Sequence, residues 1–387
     1  MAARRMLFLT PKFVKQGRLY IKEARKRVAY NRDRWKPEVI DAFEREIARL
    51  ENAVKAREER AVRTSETTIE ELCGQHCPLP PNASISENVE VILVAIIVAL
   101  GIRTFFLQPF TIPTSSMFPT LNGVTGKVTQ EPPPNILVRL LQSGLYGRTW
   151  HDVVARDDEM VTDIVETKGR GVFRFFTYSR IETDKGNTYW INEMLQPVLS
   201  TFRIHRGRSY QRGETIARGY TDTGDHVFVD KFSYHFRKPG RGEVFVFTTQ
   251  NIEAMGNLGP PPRKPSQFYI KRLAGLPGDE LQIAAPALFH NGHRAEEPGF
   301  VRVMRGSEDS PWNDYRGYSN SIGYILRTPD SRFHVPEQKY FALGDNSYNS
   351  SDSRAWGTVP QENLMGPGMF VYWPFLNDAG SHFGRIR

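Results

Sequence analysis

The sequence of 387 residues has very little cysteine, only Cys73 and Cys77. Two cysteines so close together cannot supply a disulfide framework for a chain of this length. With His76 between them they offer three possible zinc ligands, whereas a structural zinc site takes four. We therefore interpret Cys73 and Cys77 as two ordinary thiols and predict no metal site.

Long apolar runs are also scarce, and only one region qualifies. Residues 91–102 are twelve uninterrupted apolar residues, which make about 18 Å of helix, too short for a ~30 Å hydrocarbon core. Extending the run to 85–107 gives enough length, if Glu87 and Glu90 lie near one interface and Arg103 snorkels at the other. We predict a transmembrane helix over 85–107. The alternative is a buried helix of a soluble protein.

The alternation of strand and helix patterns that marks a parallel-sheet enzyme is missing after residue 107. Short runs rich in Val, Phe, Tyr and Ile occur there instead, separated by turns: HVFVDKFSY, EVFVFTT, QFYIKRLAGL, ELQIAA and KYFALG. These runs predict a mainly β domain formed by 108–121 and 224–387. Residues 122–223 mix a Pro-rich loop with apolar and strand-like runs, and we expect an insertion of unknown role.

The N-terminal part is basic, because residues 1–80 contain 18 Lys/Arg and 12 Asp/Glu. Such a segment is either a nucleic-acid arm or the cytoplasmic flank of a membrane anchor. The apolar run that follows favours the flank, so we expect a lipid bilayer and no nucleic acid as a partner. The positive-inside rule then predicts that residues 1–84 are cytoplasmic and that the chain after about residue 107 lies outside.

Helix-forming residues dominate between about 15 and 63. Pro37 suits the first turn of a helix, and apolar residues follow it at steps of three and four: Ile40, Phe43, Ile47, Leu50 and Val54. This stripe predicts a helical hairpin within 1–72, joined to the membrane helix by a linker at 73–84. We expect the stripe to pack against the first helix of the hairpin. A partner protein is the alternative, and nothing in the hairpin identifies one.

A candidate nucleophile follows the apolar run directly, in QPFTIPTSSMFPTL. A serine hydroxyl needs a base, and none of the nine histidines suggests a Ser-His-Asp triad. Lysine is the other known partner. Lys271 shares a strand face with Tyr269, where loss of solvation lowers a lysine pKa, whereas Arg272 stays charged. Taken separately, a serine beside prolines is usually a turn residue and a strand lysine is usually a solvated edge charge.

A third segment, FALGDNSYNSSDSRAWG, is dense in residues that form turns. It lacks the acidic spacing of a calcium-binding EF-hand. Asp352 and Arg354 in this segment are candidates for a structural ion pair.

Together and in this order, the apolar run, SSMFPTL, GRGEVFVF, YIKRLAGLPGDE and GDNSYNSSDSRAWG closely resemble the bacterial type I signal peptidases. The resemblance implies antiparallel sheets of the signal-peptidase and LexA type. It also implies a single-pass enzyme of the bacterial cytoplasmic membrane that removes signal peptides from exported proteins. The reaction in that family uses a Ser-Lys dyad and an acyl-enzyme, with no cofactor.

The matching positions imply residue roles. Ser116 matches the nucleophile, Lys271 the general base, Ser350 the serine that orients this lysine, and Thr114 an oxyanion-hole residue that acts with the Ser116 N–H. Apolar side chains match the lining of small substrate pockets: Phe110, Ile112, Leu121 and Ile270. Charged residues match structural supports of the site: Asp279, Asp345, Asp352 and Arg354.

The sequence departs from the family pattern at three places: the segment 122–223, the N-terminal hairpin, and Ser347, where the family commonly has arginine. Two other functions remain open from the residues. One is a soluble self-cleaving repressor of the LexA type, which would have no apolar run at 89–107. The other is a membrane-tethered binding protein with an inactive protease domain.

Overall fold

The structure is a computed structural model that describes residues 11–76, 83–169, 177–255, 266–306, 317–378 and 380–386. The chain divides into two compact units, Met1–Ile97 and Val98–Arg387. Four helices come first: α1 (Lys12–Asn31), α2 (Pro37–Ala56), α3 (Glu59–His76) and α4 (Ala83–Phe105).

The first unit contains a small helical core. The predicted stripe on α2 is confirmed, since Phe43, Ile47, Leu50 and Val54 are buried against α1 and α3, with Ile40 at the margin. The helix begins at Pro37, as expected. The expected hairpin is incomplete, however, because α3 adds a third helix that buries Val62 and Ile69. The turn before α3 gives no sequence signal, since the left-handed residue that ends α2 is Arg57 and not glycine.

Helix α4 is apolar in its central part, residues 91–102. Residues Asn88–Phe105 form a helix that is long and apolar enough to cross a membrane, and none of this span is buried within the protein. The helix covers 83–105, where we expected 85–107. It stops earlier because Leu107 begins a strand, and Pro109 in that strand disfavours helix at the residue before it.

The second unit is mainly β, as the sequence predicts. Its main sheet has eight antiparallel strands in the order β1-β9-β18-β10-β11-β16-β17, with β19 on β18. The strands are β1 (Leu107–Thr111), β9 (His226–Asp230), β10 (Val244–Thr248), β11 (Phe268–Gly275), β16 (Lys339–Leu343), β17 (Val359–Pro360), β18 (Leu364–Trp373) and β19 (Gly384–Arg385). A four-stranded sheet, β14-β13-β12-β15, and two short helices accompany it: β12 (Glu280–Ala284), β13 (Ala287–His290), β14 (His293–Arg294), β15 (Arg332–His334), α7 (Pro298–Arg305) and α8 (Ser353–Trp356).

The segment 122–223 forms a structured part with its own apolar core, which contains Val161, Ile181 and Val198. It has a three-stranded sheet, β2-β8-β3, and a four-stranded sheet, β6-β5-β4-β7. Its elements are β2 (Thr125–Val128), α5 (Ile136–Tyr146), β3 (Arg148–Val154), β4 (Glu159–Lys168), β5 (Thr177–Thr183), β6 (Thr188–Ile191), α6 (Leu195–Phe202), β7 (Ser209–Tyr210) and β8 (Thr215–Asp222).

The main sheet curls strongly. Strands β1 and β11 are separated by three strands in the sheet order, yet the rings of Phe110 on β1 and Phe268 on β11 are 5.2 Å apart between centroids. Twist accumulates from strand to strand, so a sheet of this size can bring distant strands face to face. The curl brings the end of β1 to the middle of β11.

Candidate active site

The structure brings Ser116 and Lys271 together. Ser116 lies in a short 3₁₀ turn, Ser115–Met117, just after β1. Lys271 lies within β11, and its Nζ is 2.7 Å from Ser116 Oγ. Both residues are buried. Two side chains that are 155 residues apart in the chain therefore form a direct hydrogen bond.

The surroundings of Lys271 lower its basicity. Burial lowers the pKa of Lys271 to about 8, and the carboxylates of Asp352 and Asp345 oppose this shift only in part. Its Nζ lies 5.6 Å from the centre of the Tyr269 ring, which confirms that the two side chains share a strand face. A lysine with this pKa is substantially neutral in mildly alkaline solution and can then accept a proton.

Arg272, on the opposite face of β11, has a very different environment. Its guanidinium forms a bidentate ion pair with Asp345, with N–O distances of 2.7 and 2.6 Å. It also donates to the carbonyl of Gly242 at 2.7 Å and to Thr120 Oγ1 at 2.8 Å. These bonds tie the segment after Ser116 and the loop after β16 to β11. Sequence reasoning considered Arg272 only as an unsuitable base and missed this role.

The Gly-Asp-Asn loop is stabilised by a second buried ion pair. Asp352 and Arg354 form the expected bidentate pair at 2.8 and 2.7 Å. Asp352 also accepts from the Gly344 N–H at 3.0 Å. The Arg354 guanidinium donates to Ser347 Oγ at 2.7 Å. Ser347, one of the departures from the family pattern, thus accepts a hydrogen bond from the second ion pair.

Ser350 lies close to the pair but does not make the expected contact. Its hydroxyl is buried and makes no hydrogen bond within the described part of the chain. The Lys271 ammonium is directed at Ser116 instead. A Cβ atom on Gly344 would lie 2.0 Å from Ser350 Oγ and 2.6 Å from the Ser116 carbonyl oxygen. Glycine at 344 thus lets the two serines approach each other, and the orienting role of Ser350 stays a prediction.

Thr114 and Asn346 complete the surroundings of Ser116. Thr114 Oγ1 donates to Ser116 Oγ at 3.4 Å, a long hydrogen bond. Asn346 donates its backbone N–H to the Ser116 carbonyl and its side-chain amide to the Ser115 carbonyl, both at 3.1 Å. Asn346 was missed by sequence reasoning, although its place in Gly-Asp-Asn next to Asp345 was a usable signal.

The four apolar residues expected to line substrate pockets meet in one place. Ile112 and Leu121 are buried in a cluster around Met117, and Phe110 and Ile270 pack against it at the margin. The cluster adjoins the Ser116 turn because Met117 is its neighbour in the chain. The four side chains thus belong to one apolar cluster beside Ser116, and their role in substrate pockets stays a prediction.

Asp279 lies away from the pair. Arg241 donates to both of its carboxylate oxygens, with the shortest bond at 2.7 Å, and the Leu276 N–H donates at 2.8 Å. These bonds hold the turn that follows β11. Asp279 is thus a support of the strand that carries Lys271, with no bond to the pair itself in the described part of the chain.

The described residues contain no group of three or more His, Cys, Asp or Glu that could hold an ion. Cys73 lies at the edge of the helical core of the first unit with a free thiol. Cys77 lies outside the described residues.

The family model for signal peptidase, peptidase S26, matches residues 85–130 and 208–373, which is more than half of the chain. The chain belongs to this peptidase family. The matched ranges contain every expected site residue. The residues between them, 131–207, lie inside the segment that we expected to be an insertion.

Several curated proteins are similar to this chain in sequence. A signal peptidase I of Leptolyngbya laminosa is 31% identical over 40% of this chain and 62% of the relative. A signal peptidase I of Pseudomonas fluorescens is 31% identical over 43% of this chain and 65% of the relative. The chloroplastic thylakoidal processing peptidase 1 of Arabidopsis thaliana is 27% identical over 50% of this chain and 54% of the relative. The chain thus spans less than two thirds of the length of each of these relatives.

A solved structure is also similar in sequence. The crystal structure of a signal peptidase I from Enterococcus faecalis is 26% identical, and the comparison covers 34% of this chain and 97% of that one, with a TM-score of 0.24.

Proposed function

We propose that this signal peptidase family member is a membrane-bound serine endopeptidase that removes N-terminal signal peptides from exported proteins. The observation that carries the proposal is the 2.7 Å contact between Lys271 Nζ and Ser116 Oγ, in surroundings that lower the lysine pKa to about 8. A nucleophile and a base within hydrogen-bond reach, with the base weakened by burial, are what acyl transfer requires.

The reaction begins with proton transfer. Neutral Lys271 accepts the Ser116 hydroxyl proton while Ser116 Oγ forms a bond to the carbonyl carbon of the scissile peptide. The carbonyl π electrons move to the oxygen, and Thr114 Oγ1 with the Ser116 N–H stabilises the resulting oxyanion. When the C–N bond breaks, the protonated lysine gives its proton to the leaving amine. Water then attacks the acyl carbon with Lys271 again accepting the proton, the ester bond to Ser116 Oγ breaks, and Lys271 returns that proton to Ser116 Oγ.

Free backbone edges beside the pair support an extended substrate. In the described residues, β1 pairs with β9 on one side only. Strand β11 pairs with β16 only from Arg272 onward, so its Phe268–Lys271 part has one unpaired edge. A peptide strand between these edges would bond through its backbone. Its alternate side chains would meet the partly exposed Phe110 and Ile270, with Ile112 and Leu121 buried behind them, and such a surface favours small residues such as alanine.

Helix α4 supports attachment to a membrane, since Asn88–Phe105 has the length and composition of a span. With the basic residues on its N-terminal side, we propose a single-pass protein of the bacterial cytoplasmic membrane, with the N-terminal helices in the cytoplasm and the peptidase domain outside. The family match and this helix argue against a soluble repressor.

The deciding experiment is cleavage of a purified preprotein in detergent by the wild type, Ser116→Ala and Lys271→Ala. We expect each variant to lose at least about 1,000-fold in kcat/KM, because neither residue of such a pair works alone. Ser351→Ala, which changes an exposed serine of the same loop, should cut like the wild type. Wild-type rates in Ser116→Ala or Lys271→Ala would refute the dyad. An inactive wild-type protein that still binds preproteins would favour the binding-protein alternative.

A further inference from the structure

Helix α5, in the segment that the family model does not match, exposes its apolar side. It has no buried residue. Leu137, Leu140 and Leu141, at positions i, i+3 and i+4, form one stripe and are 75%, 62% and 62% exposed. A helix on a soluble domain normally turns such a stripe toward the core. Exposed apolar surface of this kind marks an interaction site.

The helix is built into the fold and is well defined at both ends. Asn135 Oδ1 accepts from the Val138 N–H at 3.0 Å, and Gly147 ends the helix in the left-handed conformation. Trp150 donates its indole N–H to the side chain of Gln142 at 2.6 Å. These contacts fix the position of α5 on the domain, and its leucine stripe remains exposed to solvent.

Neighbouring residues extend the stripe. The backbone N–H groups of Phe375 and Leu376 both donate to the Leu145 carbonyl at 3.0 Å. The Phe383 ring packs on Phe375 with centroids 5.3 Å apart. Phe375, Leu376 and Phe383 are 46%, 42% and 50% exposed. We call the resulting surface the α5 patch: Leu137, Leu140, Leu141, Phe375, Leu376 and Phe383.

The α5 patch belongs to the same compact unit as residues 98–105, the last turns of α4, and a short path along the main sheet joins the two. Strand β1 begins directly after α4, and Thr111 at its other end pairs with His226, which pairs with Trp373. Trp373 donates its indole N–H to the Gly144 carbonyl of α5 at 2.8 Å. Four residue steps along a strand and two strand spacings across a sheet amount to roughly 23 Å at most between the backbones of Leu107 and Trp373.

Charge and length favour a lipid surface over other occupants. The segment 132–147 contains one charged residue, Arg139, and no carboxylate that would repel anionic headgroups. Eleven residues of helix are about 16 Å long, too short to cross a ~30 Å hydrocarbon core. A short helix with an exposed leucine stripe and a basic residue suits the interface between headgroups and acyl chains.

We propose that α5 lies in the membrane interface, as a second and reversible contact between the peptidase domain and the bilayer that holds α4. The contact orients the domain on the lipid surface, which keeps the Ser116–Lys271 cleft at a constant height above it. This inference rests on the proposed membrane attachment.

Lipid quenching of a fluorescent label tests the contact and the attachment separately. The full chain, with Cys73→Ser and Cys77→Ser, receives one new cysteine as Leu140→Cys, Ile97→Cys or Lys185→Cys and is labelled with a polarity-sensitive dye. Each protein is reconstituted in vesicles of phosphatidylglycerol and phosphatidylethanolamine, with or without brominated acyl chains. Ile97 reports on α4. Lys185 is an exposed turn residue that lies, like α5, in the segment 131–207 between the two ranges matched by the family model.

We expect brominated lipid to reduce the signal at Leu140 and Ile97 by about twofold or more and to leave Lys185 unchanged. Quenching at Ile97 without quenching at Leu140 overturns the α5 contact and leaves the attachment intact. Quenching at neither site overturns both. A shielded but unquenched label at Leu140 that crosslinks to a second chain identifies a dimer surface and also overturns the lipid contact.

Discussion

Lys271 and Arg272 are adjacent buried cations on opposite faces of strand β11, and their ion-pair and hydrogen-bond partners differ. Lys271 faces Ser116 and, in the described residues, makes no ion pair, so burial lowers its pKa to about 8. Arg272, the next residue, donates two hydrogen bonds to the carboxylate of Asp345 and one to each of two further oxygens. The difference shows how one strand can carry a candidate base on one face and a structural cation on the other. A buried cation without an ion pair can lose its proton, whereas a paired one holds the loops that surround it.

We expect the largest loss of activity when Lys271 is replaced by arginine, the residue type found on the other face of β11. Lys271→Arg keeps the charge but removes the ability to accept a proton, because a guanidinium stays protonated. We expect kcat/KM for preprotein cleavage to fall by about 1,000-fold or more. Lys339→Arg, at an exposed position of β16, serves as the matched control with wild-type activity. Appreciable cleavage by Lys271→Arg would mean that another group is the base.

Removing the cation on the other face should cost stability. Arg272→Met leaves the fully buried carboxylate of Asp345 without its main partner, and we expect the free energy of unfolding to fall by about 3–5 kcal/mol. Urea unfolding of the purified chain in detergent measures the change. The double variant Arg272→Met, Asp345→Leu should recover part of the loss. A single variant as stable as the wild type would show that the ion pair is not a support.

The pH dependence of cleavage tests whether Lys271 is the base. Its pKa in the folded protein is lowered to about 8, so the active neutral form is lost as the pH falls through that value. We expect kcat/KM to rise about tenfold per pH unit up to about pH 8 and then to level off. Initial rates on a fixed preprotein, with circular dichroism as a check of folding, give the profile. A rising limb centred near pH 6.5 would point to histidine instead.

Replacing the lysine by an apolar side chain should have the opposite effect to the arginine change. At pH 7 Lys271 is mostly protonated although it is fully buried, and this lowers stability. We expect Lys271→Met to abolish cleavage and to raise the free energy of unfolding by about 1–3 kcal/mol. Lys339→Met, at an exposed site, should change it by less than about 0.5 kcal/mol. Destabilisation by Lys271→Met would show that the lysine is well compensated in the folded protein.

Local patterns in the sequence determined much of the fold. Composition and length indicate α4, the strand runs correspond to β9, β10, β11, β12 and β16, and the apolar stripe on α2 is buried as its spacing predicts. These features depend on residues within a few positions of each other, which is the range over which periodicity and propensity act. The motif resemblance added the residues of the site.

Contacts between distant segments required the tertiary structure. The third helix α3 follows a turn that has no glycine, so no glycine marks the boundary between α2 and α3. The apolar run at α5 received no structure from the sequence, and only the tertiary structure shows a helix whose leucines face outward. Ser116 and Lys271 look like a turn serine and an edge lysine until the curled sheet joins them across 155 residues. Burial decides the lysine pKa, and burial is a property of the packed chain alone.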